Sequence, residues 1–420
     1  MKRLACLIII GLLGCASAWA ESALSILEDT GVTGGLVVQL GCGDGKLTAA
    51  LCTGDGYIVQ GLDADAANVA QTLTHIRTSG LYGKATAKQF EGTSLPYIDN
   101  MVNLVVSEDL GGVSMAEVMR VLSPGSVAYI KRGGVWQKNV KPIPGAIDEW
   151  THYMYDATNN AVSRDKALGP PRQHQWIGDP KWSRSHEHMS AMNAMVSSGG
   201  RIFYIIDEGS RASITLPARW TLVARDAYNG VILWKRTLPS WHTHLWPLKS
   251  GPAQLPRRLV ALDDRVYLPL GLGEPLSALD AATGEIQQTF GDTTNVEEVV
   301  ISDGVIYVLT GTFSKEQQSY RHRTPDVWEA GDEAKLKYAW DDRARNIVAL
   351  NQKTGALLWK CEYPVVQLTP AVDETQLYFY DGTKVVALNK DTGVEQWHSE
   401  EFLDSDYPTI HRRTYLVHPG

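Results

Sequence analysis

Residues 37–45 have the sequence VVQLGCGDG, in which a short apolar segment leads into three glycines at alternate positions. The segment 37–40 predicts a buried strand. The glycines at 41, 43 and 45 predict a turn with positive φ angles, in which a ligand can approach the backbone closely. Turns of this kind at the carboxyl end of a parallel strand bind nucleotide-like ligands. The stretch therefore predicts an α/β sheet with a binding edge.

The residues around this stretch alternate between strand and helix patterns. Strands are predicted over 57–63, 103–107 and 127–131, and helices over 46–52, 64–79 and 115–122. Near-continuous apolar strands separated by helices are typical of a parallel sheet with both faces covered. Asp63 ends the second strand, where a carboxylate can accept hydrogen bonds from two ribose hydroxyls.

Four motifs over residues 36–131 occur in the order found in class I S-adenosylmethionine-dependent methyltransferases, and the segment resembles that family. The motifs are VVQLGCGDG, GLDADAANVA, FEGTSLPYIDNMVNLVVSEDL and EVMRVLSPGSVAYI. The resemblance implies an α/β Rossmann-like fold that binds S-adenosylmethionine. It also implies that the turn lines the methionine end of the cofactor, that Asp63 holds the ribose and that Glu91 lies near the adenine. The implied turn residues are Gly41, Cys42, Gly43 and Gly45.

The sequence departs from the family pattern at three places. Asn103 stands where the family usually has Asp, Ser126 where it has a second Gly, and no strand is evident after Lys131. The alternative is therefore a Rossmann-like domain that keeps the turn but binds nothing. Glu108 and Asp109 follow the third strand and are weak candidates for a catalytic base. They are equally well explained as solvated loop carboxylates.

The first twenty residues have the pattern of an export signal. Lys2 and Arg3 precede an apolar run over 4–13, and Ala18-Trp19-Ala20 supplies a cleavage site, so the signal is predicted to be removed after Ala20. Leu12-Leu13-Gly14-Cys15 resembles a bacterial lipobox, so a lipid anchor at Cys15 is the alternative. Either signal predicts a periplasmic or envelope location, whereas S-adenosylmethionine is made in the cytosol.

Composition narrows the class of protein further. A chain of 420 residues predicts two or three domains. Its net charge of −8 and the lack of a basic stripe argue against a nucleic-acid partner. Beyond the signal, Cys42, Cys52 and Cys361 are too few for a disulfide framework, although the first two are close enough in sequence to pair.

Residues 134–190 predict an ordered, irregular connector between a first domain over 21–133 and a second over 191–420. Histidines and an aspartate in and after it raise the question of a metal site. The residues are His152, Asp156, His186 and His188, with a further His-x-His pair at His242 and His244. Their spacing is not that of a known metal site, so no metal is expected.

The second half of the chain is a repeat. Four segments each combine a strand, an Asx-x-x-Thr/Asn-Gly turn and a second strand: LVARDAYNGVILW (222–234), LSALDAATGEIQQ (276–288), IVALNQKTGALLW (347–359) and VVALNKDTGVEQW (385–397). Another strand precedes each segment, which predicts a β-propeller with about four visible blades. These are either a small propeller or part of a larger one. A charged insertion over Ser314–Arg345 is predicted to be a loop.

The repeat resembles that of pyrroloquinoline-quinone-type propellers, a group that includes quinoprotein dehydrogenases and outer-membrane assembly lipoproteins that act as scaffolds. The repeat residues Trp234, Trp359 and Trp397 are interpreted as packing residues between blades. The chain lacks the adjacent Cys-Cys pair that such dehydrogenases often carry, which disfavours a quinone cofactor.

Three functions are consistent with the sequence. The first is an exported methyltransferase whose propeller recruits a protein or small-molecule partner or acceptor. The second is an envelope scaffold in which the methyltransferase fold is idle. The third is a quinone-dependent dehydrogenase.

Overall fold

The computed structural model describes residues 22–170, 173–182, 184, 191–245, 255–311 and 344–401. The export signal with Cys15, as well as His186, His188 and most of the charged insertion, lie outside the described residues. Contacts divide the chain into two units. The first contains the described residues up to Ile147 together with Gly169–Ile177 and Arg225–Trp234, and the remainder form the second.

The first unit is built on a six-stranded sheet with the order β3-β2-β1-β4-β5-β6. Strands β1 to β5 pair in parallel, and β6 pairs antiparallel with β5. The strands are β1 (Gly35–Leu40), β2 (Tyr57–Asp63), β3 (Ala85–Gln89), β4 (Val102–Ser107), β5 (Leu122–Arg132) and β6 (Val135–Val140). The helices are α1 (22–30), α2 (Lys46–Ala50), α3 (Ala66–Thr78) and α4 (Met115–Val121).

Both faces of this sheet are buried, as the near-continuous apolar strands predict. Val37 packs in a core that includes Ile76 of α3, while its neighbour Val38 packs in a second core that includes Val118 of α4. Successive residues of a strand point to opposite faces, so each central strand needs apolar residues at almost every position. The α/β class is therefore confirmed.

Contrary to the sequence-based expectation, the sheet continues after Lys131. Gly133 and Gly134, with φ angles of 58° and 82°, turn the chain into β6, and Trp136 stacks on Tyr129 with ring centroids 4.9 Å apart. The expected domain boundary at residue 133 falls inside this hairpin. Strand β6 has mostly exposed residues, VWQKNV, and its weak apolar pattern explains why the sequence did not predict it.

The second half of the chain forms four antiparallel sheets of four strands each, consistent with propeller blades. In chain order, sheet 1 contains β7 (Met192–Ser198), β8 (Arg201–Asp207), β9 (Trp220–Asp226) and β10 (Ile232–Thr237). Sheet 2 contains β11 (Val260–Leu262), β12 (Arg265–Pro269), β13 (Leu276–Asp280) and β14 (Ile286–Phe290). Sheet 3 contains β15 (Val296–Ser302), β16 (Val305–Thr310), β17 (Arg345–Asn351) and β18 (Leu357–Tyr363). Sheet 4 contains β19 (Ala371–Val372), β20 (Gln376–Tyr380), β21 (Val385–Asn389) and β22 (Glu395–His398).

Each repeat turn joins the third and fourth strands of its sheet. In sheet 2 the Asp280 carboxylate accepts hydrogen bonds of 2.9 Å from the N–H groups of Ala282 and Thr283, and Gly284 follows with a φ of 73°. An aspartate or asparagine that caps its own turn and a glycine in the left-handed region are what this turn requires. The repeat predicted from the sequence is therefore present as structure.

Part of the connector is ordered by the second unit. Over residues 148–159 it makes a hydrogen bond to the first strand of each of the four antiparallel sheets. The bonds are Ser197 N to Trp150 O (2.7 Å), Ala261 N to Thr151 O (3.0 Å), Ile301 N to His152 Nε2 (3.0 Å) and Val372 N to Ala157 O (2.9 Å). The segment thus satisfies backbone donors of β7, β11, β15 and β19, which gives an irregular sequence a fixed conformation.

None of the helices among the described residues combines the length and the apolar character needed to cross a bilayer.

Candidate cofactor site

The glycine-rich turn lies between the end of β1 and the start of α2. Gly41, Gly43 and Gly45 have φ angles of 78°, 54° and 79°, all in the left-handed region that favours glycine. A Cβ at Gly45 would lie 2.6 Å from the Cα of Thr72 on α3, so this glycine is required for packing. A Cβ at Gly41 or Gly43 would meet nothing within 4 Å. The turn is therefore packed at its end and open beside its first two glycines.

Asp63 links the end of β2 to this turn. Its Oδ2 accepts a hydrogen bond of 3.0 Å from Gly43 N, and its Oδ1 accepts bonds from Asp65 N (3.0 Å) and Asn68 Nδ2 (3.1 Å). Partial burial acts to raise the pKa of Asp63, but the N–H donors of Gly43 and Asp65 outweigh it and hold this pKa below its usual range. Asp63 is therefore an ionised acceptor beside the open part of the turn.

Cys42 contributes its backbone to the turn, while its side chain packs inward. The side chain is buried, and the Thr72 hydroxyl lies 3.3 Å from its Sγ. A Cβ at Gly61 would lie only 2.6 Å from the Cys42 Cβ, so the glycine in β2 makes room for the thiol. Burial raises the pKa of Cys42. Cys42 and Cys52, whose pairing the sequence left open, are both free thiols.

Glu91 lies just beyond the end of β3, the strand next to β2. Its Oε1 accepts a bond of 2.6 Å from Gln89 Nε2, which also donates to Ala64 O just after β2. The turn, Asp63 and Glu91 therefore follow the carboxyl ends of three adjacent parallel strands. This is the edge at which ligands of such sheets bind.

The segment after Glu91 is held by α4. Glu117 accepts hydrogen bonds from Leu95 N (2.6 Å) and from Arg120, and the bond from Arg120 lowers the pKa of Glu117 to about 2. Glu117 was not among the residues predicted from the sequence. Its position three residues after the helix-capping Ser114 is the signal that could have indicated it.

The two candidate bases follow β4, at the same edge of the sheet as the turn. Glu108 is exposed and lies 3.1 Å from Lys131 Nζ. Asp109 accepts a hydrogen bond of 2.9 Å from Gly111 N. Glu108 is therefore paired with a residue of the neighbouring strand β5, and Asp109 with a backbone N–H of its own loop.

The departure at Asn103 has a structural reason within the first unit. Asn103 Nδ2 donates a hydrogen bond of 2.7 Å to Asp226 Oδ2, while its Oδ1 accepts from Leu36 N (2.8 Å) and Asn229 Nδ2 (2.7 Å). An aspartate has no N–H to donate and would place a second negative charge beside Asp226. The hydrogen bonds to Asp226 and from Asn229 therefore require an amide at position 103. Both partners lie in the segment Arg225–Trp234, which belongs to this unit.

Ser126, the second departure from the family pattern, has a hydrogen-bond partner within its own strand. Ser126 and Ser123 are buried, and their hydroxyl oxygens lie 2.6 Å apart.

Three of the histidines considered as metal ligands lie among the described residues: His152 is buried, and His242 and His244 are partly buried. His152 accepts from Ile301 N at Nε2 and lies 2.8 Å from the Thr151 hydroxyl at Nδ1, and burial lowers its pKa to about 3. Burial also lowers the pKa of His242 to about 3, and His244 Nε2 lies 2.8 Å from Ile214 O. Within the described ranges no three His, Cys, Asp or Glu side chains come together as a metal site.

Two segments of the chain match family models. Residues 38–130 match the model described as "Methyltransferase domain", and residues 330–415 match the model described as "Outer membrane protein assembly factor BamB". Among curated proteins, none matches the chain significantly.

Solved structures similar to the chain include several methyltransferases. One, from Methanococcus maripaludis, is described as S-adenosyl-L-methionine-dependent; it is 25% identical with a TM-score of 0.26, over 27% of this chain and 55% of that one. A sarcosine dimethylglycine methyltransferase from Galdieria sulphuraria is 25% identical with a TM-score of 0.24, over 26% of this chain and 45% of that one. A geranyl diphosphate C-methyltransferase from Streptomyces coelicolor is 21% identical with a TM-score of 0.25, over 27% and 44%.

The chain spans about half the length of these solved structures. The chain thus joins a Rossmann-like domain that matches the methyltransferase family over residues 38–130 to antiparallel repeats that match the BamB family over residues 330–415.

Proposed function

We propose that the chain binds S-adenosylmethionine at the Gly41–Gly45 turn and transfers its methyl group to an acceptor recruited by the repeat domain. The observation that carries this proposal is the Asp63 carboxylate, held against Gly43 N beside a turn that is open at Gly41 and Gly43. An ionised carboxylate suits ribose hydroxyls, and an open glycine backbone suits the amino-acid part of the cofactor.

The residues present fit this cofactor. Asp63 would hold the ribose, Glu91 would lie towards the adenine, and the backbone of the turn would face the methionine part. When bound, S-adenosylmethionine supplies a sulfonium that carries an activated methyl group. Because the sulfonium leaves readily, the protein's contribution is positioning, and Glu108 or Asp109 would take the proton released by the methyl acceptor.

We further propose that the protein is exported to the periplasm or envelope by the signal over residues 1–20. The mass of the mature N-terminus tests this part of the proposal. A chain that begins at Glu21 supports cleavage after Ala20, and a diacylated Cys15 supports the lipoprotein alternative. An intact Met1 in protein recovered from the producing cell would contradict export.

An envelope scaffold with an idle methyltransferase fold is the second candidate. It is favoured by the match of residues 330–415 to an outer-membrane assembly factor and by the internal partners of Glu108 and Asp109. On this account the repeats bind a protein partner, and the cofactor cradle has no catalytic role.

Transfer of a labelled methyl group distinguishes the two candidates. The full chain is incubated with S-adenosylmethionine labelled in its methyl group and an envelope extract as acceptor. Label in an acceptor fraction above the level given by Asp63→Ala supports the methyltransferase. Asp65→Ala is the matched control, because Asp65 caps α3 through Ala67 N and leaves the cradle unchanged. Cofactor binding without transfer to any fraction would favour the scaffold.

A further inference from the structure

The Asp63 carboxylate is surrounded by hydrogen-bond donors of the protein itself. Its Oδ2 accepts from Gly43 N (3.0 Å), and its Oδ1 accepts from Asp65 N (3.0 Å) and from Asn68 Nδ2 (3.1 Å). The Cys42 N–H also donates to this carboxylate. An ionised carboxylate offers roughly four lone-pair positions to donors. The protein's own donors therefore occupy the positions that two ribose hydroxyls would need.

The backbone donors among them belong to parts of the fold that are fixed in place. Gly43 lies in the glycine-rich turn, where a Cβ at Gly45 would lie only 2.6 Å from the Cα of Thr72 on α3. Asp65 is the N-cap of α3, and its own carboxylate accepts a hydrogen bond of 2.8 Å from Ala67 N. Withdrawal of either N–H group would distort the turn or the start of the helix. A ligand therefore has little access to the oxygens that these groups hold.

Asn68 differs from the backbone donors because its N–H group is at the end of a side chain. Helix α3 presents Asn68 and Thr72, four residues apart, on the face that meets the turn. Thr72 is buried, and its hydroxyl donates to Gly43 O (3.1 Å). Asn68 lies one helical turn nearer the carboxyl edge of the sheet and is only half-buried. A change of rotamer at Asn68 would therefore free an oxygen of Asp63 without any movement of the backbone.

We propose that Asn68 is a positioning residue that controls access to Asp63, and that a ribose hydroxyl binds by replacing the Asn68 amide on Oδ1. This inference rests on the proposed function, because it concerns the same cofactor site. Each binding event must break the bond from Asn68, so the apparent affinity falls with the fraction of molecules in which that bond is made. Only a ligand with a hydroxyl donor can replace the amide, so Asn68 also favours ribonucleosides over their deoxy analogues.

Calorimetric titration of S-adenosylmethionine into the full chain and into Asn68→Ala tests the proposal. Gln71→Ala is the matched control, because Gln71 is an exposed residue of the same helix. Alanine favours a helix at both positions, and circular dichroism with thermal unfolding checks that both variants fold. The double variant Asp63→Ala/Asn68→Ala shows whether any gain in affinity depends on the carboxylate.

A second pair of ligands separates control of access from a structural effect on the turn. The ligands are adenosine and 2′,3′-dideoxyadenosine, which differ only in the two ribose hydroxyls. Dideoxyadenosine has no ribose hydroxyl to take the place of the Asn68 amide. Asn68→Ala should therefore bind adenosine more tightly and leave the affinity for dideoxyadenosine unchanged. A structural effect on the turn would change the affinities for both ligands alike.

The expected result is that Asn68→Ala binds S-adenosylmethionine and adenosine about three-fold more tightly or better, with no change in Gln71→Ala and no gain in the double variant. An equal or weaker affinity in Asn68→Ala, beside clear binding by the unmodified chain, would overturn this inference and leave the proposed function standing. An equal gain for dideoxyadenosine would also overturn it. No binding by either folded protein at millimolar cofactor would remove the proposed function, and this inference with it.

Discussion

The indole N–H of Trp359 and the carbonyl oxygen of Lys390 are 2.8 Å apart, although the two residues belong to different sheets. The bond fixes the ring against the turn that ends at Gly393, whose φ is 70°. Gly393 therefore has two functions: it permits the left-handed turn, and it leaves room for Trp359 of the preceding sheet.

Gly393→Ala separates these two functions. The added Cβ meets the Trp359 ring at 2.6 Å, so we expect a loss of about 2–4 kcal/mol of unfolding free energy, from left-handed strain together with overpacking. Gly304→Ala is the matched control, because Gly304 also has a positive φ of 78° but has no atom within 4 Å of its Cβ position. Urea unfolding should show a loss of only about 1 kcal/mol there. Equal losses would mean that the ring contact is unimportant.

Asn103→Asp should destabilise the first unit. The change removes the donor to Asp226 and sets two carboxylates against each other, with an expected loss of about 2 kcal/mol at pH 7. Protonation of the carboxylates should relieve part of this loss below about pH 4. Asn100→Asp makes the same change beside Lys141 Nζ, 2.7 Å away, and should leave stability unchanged or raised. Thermal unfolding of both variants at pH 7 and pH 4 measures the difference.

Stability should also fall in mild acid because of His152 and His242. Burial lowers the pKa values of His152 and His242 to about 3, so between about pH 3 and the ordinary value of 6.5 the unfolded chain binds more protons than the folded chain. Their contribution is complete above pH 6.5 and declines as pH falls, by about 1.4 kcal/mol per pH unit for each histidine. Urea unfolding from pH 7 to pH 5 should show this slope, and His152→Gln, which keeps an acceptor for Ile301 N, should reduce it. A slope that is unchanged in the variant would exclude His152 as the cause.

The central strands, the main helices and the repeat turns could be predicted from the sequence because each depends on local pattern. Val37, Val38 and their neighbours are apolar at successive positions, and each repeat glycine follows its capping Asp or Asn at a fixed distance. The role of Asn103 could not be predicted, since its partner Asp226 lies 123 residues away in the chain.

Strands and segments with weak local patterns also could not be predicted from the sequence. Strand β3, ATAKQ, lies at an edge of the sheet and needs few apolar residues, so nothing in its sequence indicates a strand. Residues 148–159 take their conformation from the first strands of four sheets, which a local pattern cannot reveal. At the candidate site, the sequence predicted that Asp63 ends a strand, whereas Glu91 was indicated only by the family resemblance, and the donors that hold Asp63 appeared only in the structure.

Two alanine substitutions in the turn should differ in whether they mainly affect stability or cofactor binding. Gly45→Ala meets the backbone of α3 at Thr72, so it should cost about 2–4 kcal/mol of stability. Gly41→Ala meets nothing, so it should cost only about 1–2 kcal/mol but place a methyl group in the space proposed for the cofactor. We expect Gly41→Ala to weaken S-adenosylmethionine binding at least ten-fold in a folded protein. Retained affinity would place the cofactor elsewhere.

The most direct test of the cofactor proposal is calorimetric titration of S-adenosylmethionine into the full chain and into Asp63→Ala, with Asp65→Ala as the control for stability. We expect micromolar binding by the unmodified chain and the Asp65 variant. We expect an affinity at least ten-fold weaker when the Asp63 carboxylate is removed, or about 1.4 kcal/mol. The absence of binding by a folded chain at millimolar cofactor, or an affinity that Asp63→Ala leaves unchanged, would contradict it.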